Sequence, residues 1–191
     1  MKKMAIVALL SAFVATPALA DNTGKSYVAG DYGSVTFSNS NPGGTDLPNP
    51  NSSRISGGYH FSPTIAVEAG YAMIGDSTLT WPTASVTVKN SAIQAAAVGT
   101  FPVSAAFDLF VKLGLSMNSS KQTGTGTLAA LNTNNSSTAL LYGIGAQYNF
   151  DQQLSIRAQY ENFGKFKSTN LTPVTWDVGI TLISFGVVSS F

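Results

Sequence analysis

The stretch Ile183-Ser184-Phe185-Gly186-Val187-Val188-Ser189-Ser190-Phe191 decides the fold of this chain. Apolar residues alternate there with small or polar ones up to the last residue, and Ser189 is the one exception. The apolar face consists of Ile183, Phe185, Val187 and Phe191. The ends of soluble domains usually fray, because nothing holds their final residues in place. A closed transmembrane barrel, in contrast, requires such a terminal strand, since its last strand must pair with its first and face lipid.

The other end of the chain predicts export. Met1-Lys2-Lys3 is a short basic start, residues 5–14 form an apolar run, and Ala18-Leu19-Ala20 matches a cleavage site. The run is too short for a membrane anchor. We therefore predict a cleaved signal peptide at residues 1–20 and a single outer-membrane β-barrel domain at residues 21–191.

The composition excludes several classes of function. Charged residues make up 10% of the chain, well below the roughly 25% of ordinary soluble domains. The formal net charge of +1 gives no field that would attract nucleic acid, so we expect no nucleic-acid partner. With no cysteine and one histidine, the chain lacks the usual ligands of a metal centre. We expect no metal and no cofactor.

Segments of about ten residues with a period of two recur along the chain, separated by turn-forming residues. They predict strands at residues 26–37, 54–61, 64–72, 85–100, 107–117, 138–150 and 154–161, followed by a last strand that ends at Phe191. Polar loops are predicted at residues 38–53, 75–83, 118–137 and 164–173. The phase of the fourth strand stays open, because Ala95-Ala96-Ala97-Val98 is apolar on both faces.

Eight strands with alternating short and long connections predict an all-β fold, an eight-stranded antiparallel up-and-down transmembrane β-barrel. With both termini in the periplasm, the three short turns are periplasmic and the four long loops extracellular. A soluble β-sandwich would also alternate, but it would not concentrate aromatic residues at the strand ends. Here we expect a periplasmic interfacial girdle of Tyr59, Phe61, Phe101, Tyr148, Phe150 and Phe191.

Short segments throughout the chain carry a family resemblance: Gly57-Gly58-Tyr59-His60-Phe61-Ser62-Pro63, Glu68-Ala69-Gly70-Tyr71, Lys112-Leu113-Gly114-Leu115, Gly145-Ala146-Gln147-Tyr148, Ile156-Arg157-Ala158-Gln159-Tyr160 and the closing strand. With them the chain resembles the OmpA-type eight-stranded outer-membrane barrels, including their short OmpX-like members. The resemblance implies the outer membrane of a Gram-negative cell, and the barrel-assembly machinery as a partner of the C-terminal strand. Since the sequence stops at Phe191, we expect no peptidoglycan-binding domain.

Charged residues of inward parity form the most informative polar set: Asp31, Glu68, Lys112, Arg157 and Glu161. The interior of an eight-stranded barrel is just wide enough to be filled by side chains. An unpaired ion there costs several kcal/mol, so we predict a lumen charge network with Glu68 and Arg157 as its central pair. The resemblance implies a carboxylate–guanidinium bridge treated as a gate. Gln147 stands where the second lumen pair of the family has a carboxylate, and we expect it to belong to the same lumen network.

His60 is the one residue that suggests catalysis. Barrel enzymes that modify lipid A place a histidine near the outer leaflet, whereas His60 falls at the predicted periplasmic end. We therefore expect no enzymatic activity.

The function we predict is a structural and surface-interaction role: envelope integrity, adhesion or lipopolysaccharide contact through the four outer loops. Lys165 and Lys167 are the candidates for lipopolysaccharide phosphates. The expected partners are outer-membrane lipids, lipopolysaccharide and host or environmental surface ligands. A narrow channel for ions or very small solutes is the alternative, and a lipid A-modifying enzyme is the third interpretation.

The closing strand poses one problem. Ile180 and Leu182 have the parity opposite to Ile183 and Phe185, so the apolar face changes sides near Leu182-Ile183. A bulge there, or a strand that extends beyond the membrane, accounts for the change.

Overall fold

The computed structural model describes residues 22–39, 49–127, 129, 132–168 and 176–191, so the predicted signal peptide lies outside the described residues. The described residues form eight strands in one closed antiparallel barrel, in which each strand pairs with its neighbour along the chain. The strands are β1 (Ser26–Asn39), β2 (Asn51–Ser62), β3 (Ile65–Trp81), β4 (Ala84–Pro102), β5 (Phe107–Gly126), β6 (Thr133–Asn149), β7 (Leu154–Ser168) and β8 (Trp176–Ser190). The predicted fold class is confirmed. Among these residues no helix is long and apolar enough to cross a membrane.

The two ends of the barrel differ in their connections. At one end, here called the turn end, the strands are joined by residues 63–64, 103–106 and 150–153. At the other, the hairpin end, they are joined by residues 40–50, 82–83, 127–132 and 169–175. The chain terminus closes the barrel at the turn end, where the backbone N–H of Phe191 donates to the carbonyl of Ser26 at 2.9 Å. The Ser26 N–H returns a bond to the Phe191 carbonyl at 3.0 Å.

Alternation along the strands separates an apolar outer face from a filled lumen. On β5, the outer face presents Leu109, Val111, Leu113, Leu115 and Met117. On β4, the phase that the sequence left open is resolved, since Ile93 is exposed outside and Gln94 is buried inside. Because apolar side chains cover the outside of the wall and polar ones fill its interior, the burial pattern is that of a barrel in lipid.

Two of the predicted loops are wrong. The segments 75–83 and 118–137 are mostly strand, because β3 continues to Trp81, β5 continues to Gly126 and β6 begins at Thr133. We call residues 76–90 and 119–137 the sheet extension. Its hydroxyl side chains pair across strands, with Thr78 Oγ1 3.1 Å from Thr87 Oγ1. In residues 119–126 polar residues and glycines alternate with one another, so the hydrophobic period that signals a strand is missing.

Of the two explanations for the change of side in the closing strand, the bulge near Leu182-Ile183 is wrong. β1 and β8 pair in one continuous register from Tyr27↔Ser190 to Asn39↔Val178. Ile180 and Leu182 are each 1% exposed and point into the lumen, while Ile183 and Phe185 face outward. The register shift occurs instead in β7, between Asn162 and Lys165. The alternation is therefore unbroken, and both faces of β8 are apolar because the lumen itself is apolar at this level.

The buried apolar residues form two clusters. Toward the hairpin end lies the cluster we call the apolar plug, made of Val35, Ala72, Ile74, Ala92, Ala96, Leu141, Phe163, Ile180 and Leu182. Toward the turn end lies a smaller cluster of Tyr27, Ala29, Ala66, Val98, Phe110 and Val188. The charged residues of the lumen lie between them along the strands.

Candidate functional site: the lumen charge network

Six ionisable side chains from five strands meet in the middle of the lumen, and each is 0–3% exposed. Three are acidic and three are basic, so their formal charges cancel. We call this set the charge network: Asp31, Arg54, Glu68, Lys112, Arg157 and Glu161. A buried ion must be paired to be tolerated, and the structure pairs all six.

Arg157, on β7, connects two carboxylates. Its Nη1 lies 2.7 Å from Glu68 Oε2, the pair that the sequence placed at the centre. Its Nη2 and Nε each lie 2.8 Å from an oxygen of Asp31. The two parallel bonds to Asp31 are bidentate, the strongest geometry for a guanidinium and a carboxylate.

Arg54, on β2, is a member that the sequence analysis missed. It donates to Asp31 Oδ2 through Nε at 3.0 Å and Nη2 at 2.9 Å, and it forms an ion pair with Glu161 through Nη1. The sequence did contain a signal for an inward position, because Arg54 has the parity opposite to Ile55 and Tyr59, which face outward. The predicted strand began at Arg54 itself, whereas β2 begins three residues earlier at Asn51. A residue at a strand boundary was not assigned to a face.

Lys112 joins the remaining acids. Its Nζ lies 2.7 Å from Glu68 Oε1 and 3.4 Å from Glu161 Oε1. Two neutral groups complete the network: the Tyr27 hydroxyl donates to Glu68 Oε2 at 3.0 Å, and the Gln159 amide donates to Asp31 Oδ1 at 2.9 Å. Each carboxylate therefore has at least two partners, and the network joins five of the eight strands across the lumen.

Glycines make room for two of the acids. Gly186 is the register partner of Asp31, and Gly143 that of Glu161. A Cβ on Gly143 would lie 2.7 Å from Glu161 Cγ, and one on Gly186 would lie 2.8 Å from Asp31 Cγ. Both distances are shorter than carbon atoms tolerate. These carboxylates thus occupy the space that a neighbouring side chain would fill.

Gln147 does not belong to the charge network, contrary to the prediction. Its amide donates to Asn149 Oδ1 at 2.9 Å, and Asn149 donates to Asp108 Oδ2 at 2.6 Å. Gln147 is the register partner of Arg157, but the guanidinium is already held by two carboxylates. Gln147 instead lines a cavity of ≈ 630 Å³ at the turn end, which reaches Lys112 at its inner end.

His60 lines the same cavity. The centroid of its ring lies 5.2 Å from that of Tyr27, and its Nδ1 has no hydrogen-bond partner within the described part of the chain. In that part of the chain no group of three or more potential ligands could hold a metal ion.

The remaining predicted residues lie on the outer surface. Five of the six girdle aromatics are exposed at the turn end and Phe101 is half-buried. The rings of Tyr59 and Phe61 meet edge to face with centroids 5.1 Å apart. The prediction that Lys165 and Lys167 lie in a loop is wrong, because β7 continues to Ser168. Lys165 is exposed, and the side chain of Lys167 lies outside the described residues.

A closed wall with an apolar outside and an ion-paired inside defines this molecule as a transmembrane β-barrel. The sequence model of the outer membrane protein beta-barrel domain matches residues 5–191, and the chain belongs to that family. It is thus an outer-membrane protein.

Solved structures of similar fold agree. Neisserial surface protein A superposes with a TM-score of 0.65 at 20% identity, covering 88% of this chain and 99% of that one. Ail, the attachment invasion locus protein of Yersinia pestis, gives 0.60 at 19% identity with the same coverage. OprG from Pseudomonas aeruginosa gives 0.57 at 12% identity, covering 89% of this chain and 97% of that one. No curated protein matches the sequence. At such identities the likeness shows the fold alone.

Proposed function

We propose that this protein is a structural and surface-interaction protein of the outer membrane. In this proposal it contributes to envelope integrity, adhesion or lipopolysaccharide contact through its hairpin end, and it neither conducts solutes nor catalyses a reaction.

The observation that carries the proposal is the filled lumen. The charge network crosses the interior with side chains that are at most 3% exposed. Above it the apolar plug adds Leu141, Phe163, Ile180 and Leu182, each at most 1% exposed. A solute crossing the barrel would have to break buried ion pairs and then displace packed apolar side chains. Passage through the barrel is therefore blocked, and in this proposal binding takes place on the outer surface.

The surface that extends furthest is the sheet extension. β4 and β5 pair without interruption from Pro102↔Asp108 to Ala84↔Gly126, well beyond the apolar band that ends at Ile93 and Met117. With the turn end in the periplasm, this sheet projects from the cell. Its partners in this proposal are lipopolysaccharide and host or environmental surface ligands, and nucleic acid is not among them. The barrel-assembly machinery acts on the C-terminal strand.

The test of the surface role is a variant without the tips of the sheet extension. Residues 122–133 are replaced by a two-residue turn, which cuts at the register pair Gln122↔Thr133 and keeps the ladder below it. We expect normal barrel assembly, with loss of surface binding or increased permeability to detergents and large antibiotics. Unchanged binding and unchanged permeability would overturn the proposal.

The alternative of a narrow channel is tested by planar-bilayer conductance. We expect no discrete steps for the wild type or for Glu68→Ala, because the apolar plug remains after the ion pair is removed. Steps in the wild type would favour the channel. Lipid A mass spectra that change on deletion of the gene would favour the enzyme.

A further inference from the structure

The outer face of the β4–β5 ladder changes character in regular steps toward the hairpin end. Register partners that share this face are, in order, Ala95↔Leu115, Ile93↔Met117, Ser91↔Ser119, Lys89↔Lys121, Thr87↔Thr123 and Ser85↔Thr125. Ile93 and Met117 are 57% and 60% exposed and are the last apolar pair. The sequence of pairs is thus apolar, small hydroxyl, cationic and hydroxyl.

The lysine pair is unusual, because Lys89 and Lys121 lie directly opposite each other on neighbouring strands. Like charges at opposed positions of a sheet repel and destabilise the ladder. Among the described residues, the acidic side chain that pairs with them is Asp76, whose Oδ2 lies 3.0 Å from Lys89 Nζ. The Lys89 side chain is 63% exposed and the Asp76 side chain is 50% exposed. Asp76 balances only one of the two positive charges that Lys89 and Lys121 carry.

The position of Lys89 and Lys121 relative to the apolar band indicates which layer of the membrane they face. Lys89 and Lys121 are each four residues beyond the last apolar pair, about 13 Å along the strands at 3.3 Å per residue. Because barrel strands tilt by about 35–45°, this corresponds to about 10 Å along the membrane normal, which places both lysines in the polar layer above the apolar band. The side chains above them are hydroxyls, with Ser85 Oγ 2.7 Å from Thr125 Oγ1 and Thr78 Oγ1 3.1 Å from Thr87 Oγ1.

We propose that Lys89 and Lys121 form a binding site for a phosphate group of the outer-leaflet glycolipid, whose acyl chains contact Ile93 and Met117 and whose sugars contact the hydroxyl pairs above. This inference rests on the proposed function, and moves the contact from Lys165 and Lys167 to β4 and β5. An anion between the two ammonium groups removes their repulsion. Asp76 competes with that anion for Lys89.

The test measures glycolipid binding by the purified barrel in micelles of neutral detergent. The probes are lipopolysaccharide with phosphorylated lipid A, the same material after enzymatic dephosphorylation, and inorganic phosphate. The variant Lys89→Gln/Lys121→Gln is compared with Lys25→Gln/Lys165→Gln, which removes the same charge elsewhere. Folding of each variant is verified by its mobility on unheated gels.

We expect the Lys89→Gln/Lys121→Gln variant to bind phosphorylated lipopolysaccharide about tenfold or more weakly, since each lysine near an anionic lipid surface contributes measurably. The control variant and the dephosphorylated probe should show little change. Asp76→Asn should bind the phosphorylated probe more tightly than the wild type, because Lys89 loses the carboxylate that competes with the phosphate.

Three results would overturn the inference: equal weakening in both double variants, no weakening in the first, or binding of inorganic phosphate as tight as that of the glycolipid, which marks a site for free phosphate. The surface role is judged separately by the variant lacking residues 122–133. If that variant loses surface binding while the Lys89→Gln/Lys121→Gln variant binds lipopolysaccharide normally, this inference fails and the proposed function stands.

Discussion

The barrel holds two sets of ion pairs in opposite surroundings. In the charge network, Lys112 and Glu68 are 2.7 Å apart and at most 1% exposed. On the sheet extension, Lys89 and Asp76 are 3.0 Å apart and at least half exposed. The distances are nearly equal, but the surroundings are not. Water screens the exposed pair and leaves its charges available to a ligand, whereas the buried pair has no partner except the protein.

The comparison indicates a division of roles within one strand wall. Buried charges hold the barrel together across its lumen and are inaccessible from outside. Exposed charges add little to stability and are free to bind. Substitutions in the two sets should therefore change different measurements.

The largest effect is expected for Glu68→Ala. It leaves Arg157 and Lys112 without one of their carboxylate partners in a closed lumen, which costs roughly 3–5 kcal/mol. Urea unfolding of the barrel in phospholipid vesicles, followed by far-ultraviolet circular dichroism, measures the loss.

The control for that experiment is Glu68→Gln/Lys112→Met, which removes one charge of each sign. The unfolding free energy lost in this double variant should be smaller than the sum of the losses in the two single variants, because the charge network stays neutral. A loss below about 1 kcal/mol for Glu68→Ala would show that water reaches this pair as it reaches Lys89 and Asp76.

The sequence alone predicted the ion pairs of the lumen better than those of the sheet extension, and the hydrophobic period explains the difference. Strands that alternate apolar and polar residues gave the fold class and placed Glu68 and Arg157 inside. Arg54 was missed because it stood at a predicted boundary. Ile180 and Leu182 suggested a bulge because an apolar lumen cannot be distinguished by parity from a change of face. The part of the sheet extension at residues 119–126 was missed because these residues are polar or glycine on both faces. Only the cross-strand register brings Lys89 opposite Lys121.

A smaller effect is expected for Gly186→Ala. The added Cβ meets the Asp31 carboxylate and lies 2.8 Å from the Gly30 carbonyl oxygen, so Asp31 must move away from its two arginines. Overpacking of this kind costs roughly 1–3 kcal/mol. The matched control is Gly30→Ala on the adjacent register pair, Gly30↔Val187, where a Cβ meets nothing within 4 Å. Equal unfolding free energies for the two variants would contradict the close packing around Asp31.

An exposed carboxylate at the turn end gives a pH-dependent effect. The N–H groups of Gln153 and Leu154 donate to Asp151 Oδ1 at 2.7 and 2.8 Å, and these bonds lower the pKa of Asp151. The stabilisation is therefore complete above the ordinary carboxyl pKa of about 4 and is lost as the pH falls through the lower pKa of the folded state. Urea unfolding of wild type and Asp151→Asn from pH 7 to pH 3 should show the wild-type advantage shrinking with acid. A constant difference would mean that the carboxylate is not the cause.

The smallest effect on stability is expected for Asp76→Asn, and it sharpens the comparison most. An exposed pair contributes below about 1 kcal/mol, so the unfolding free energy should be nearly that of the wild type, even though the 3.0 Å ion pair with Lys89 is lost. The same substitution should strengthen binding of phosphorylated lipopolysaccharide, because Lys89 is then released to the ligand. Measuring the unfolding free energy and the lipopolysaccharide affinity on one preparation separates the structural role of a charge from its role in binding. A large loss of stability without any change in binding would place this pair with the lumen charges, as a structural contact that happens to lie on the surface.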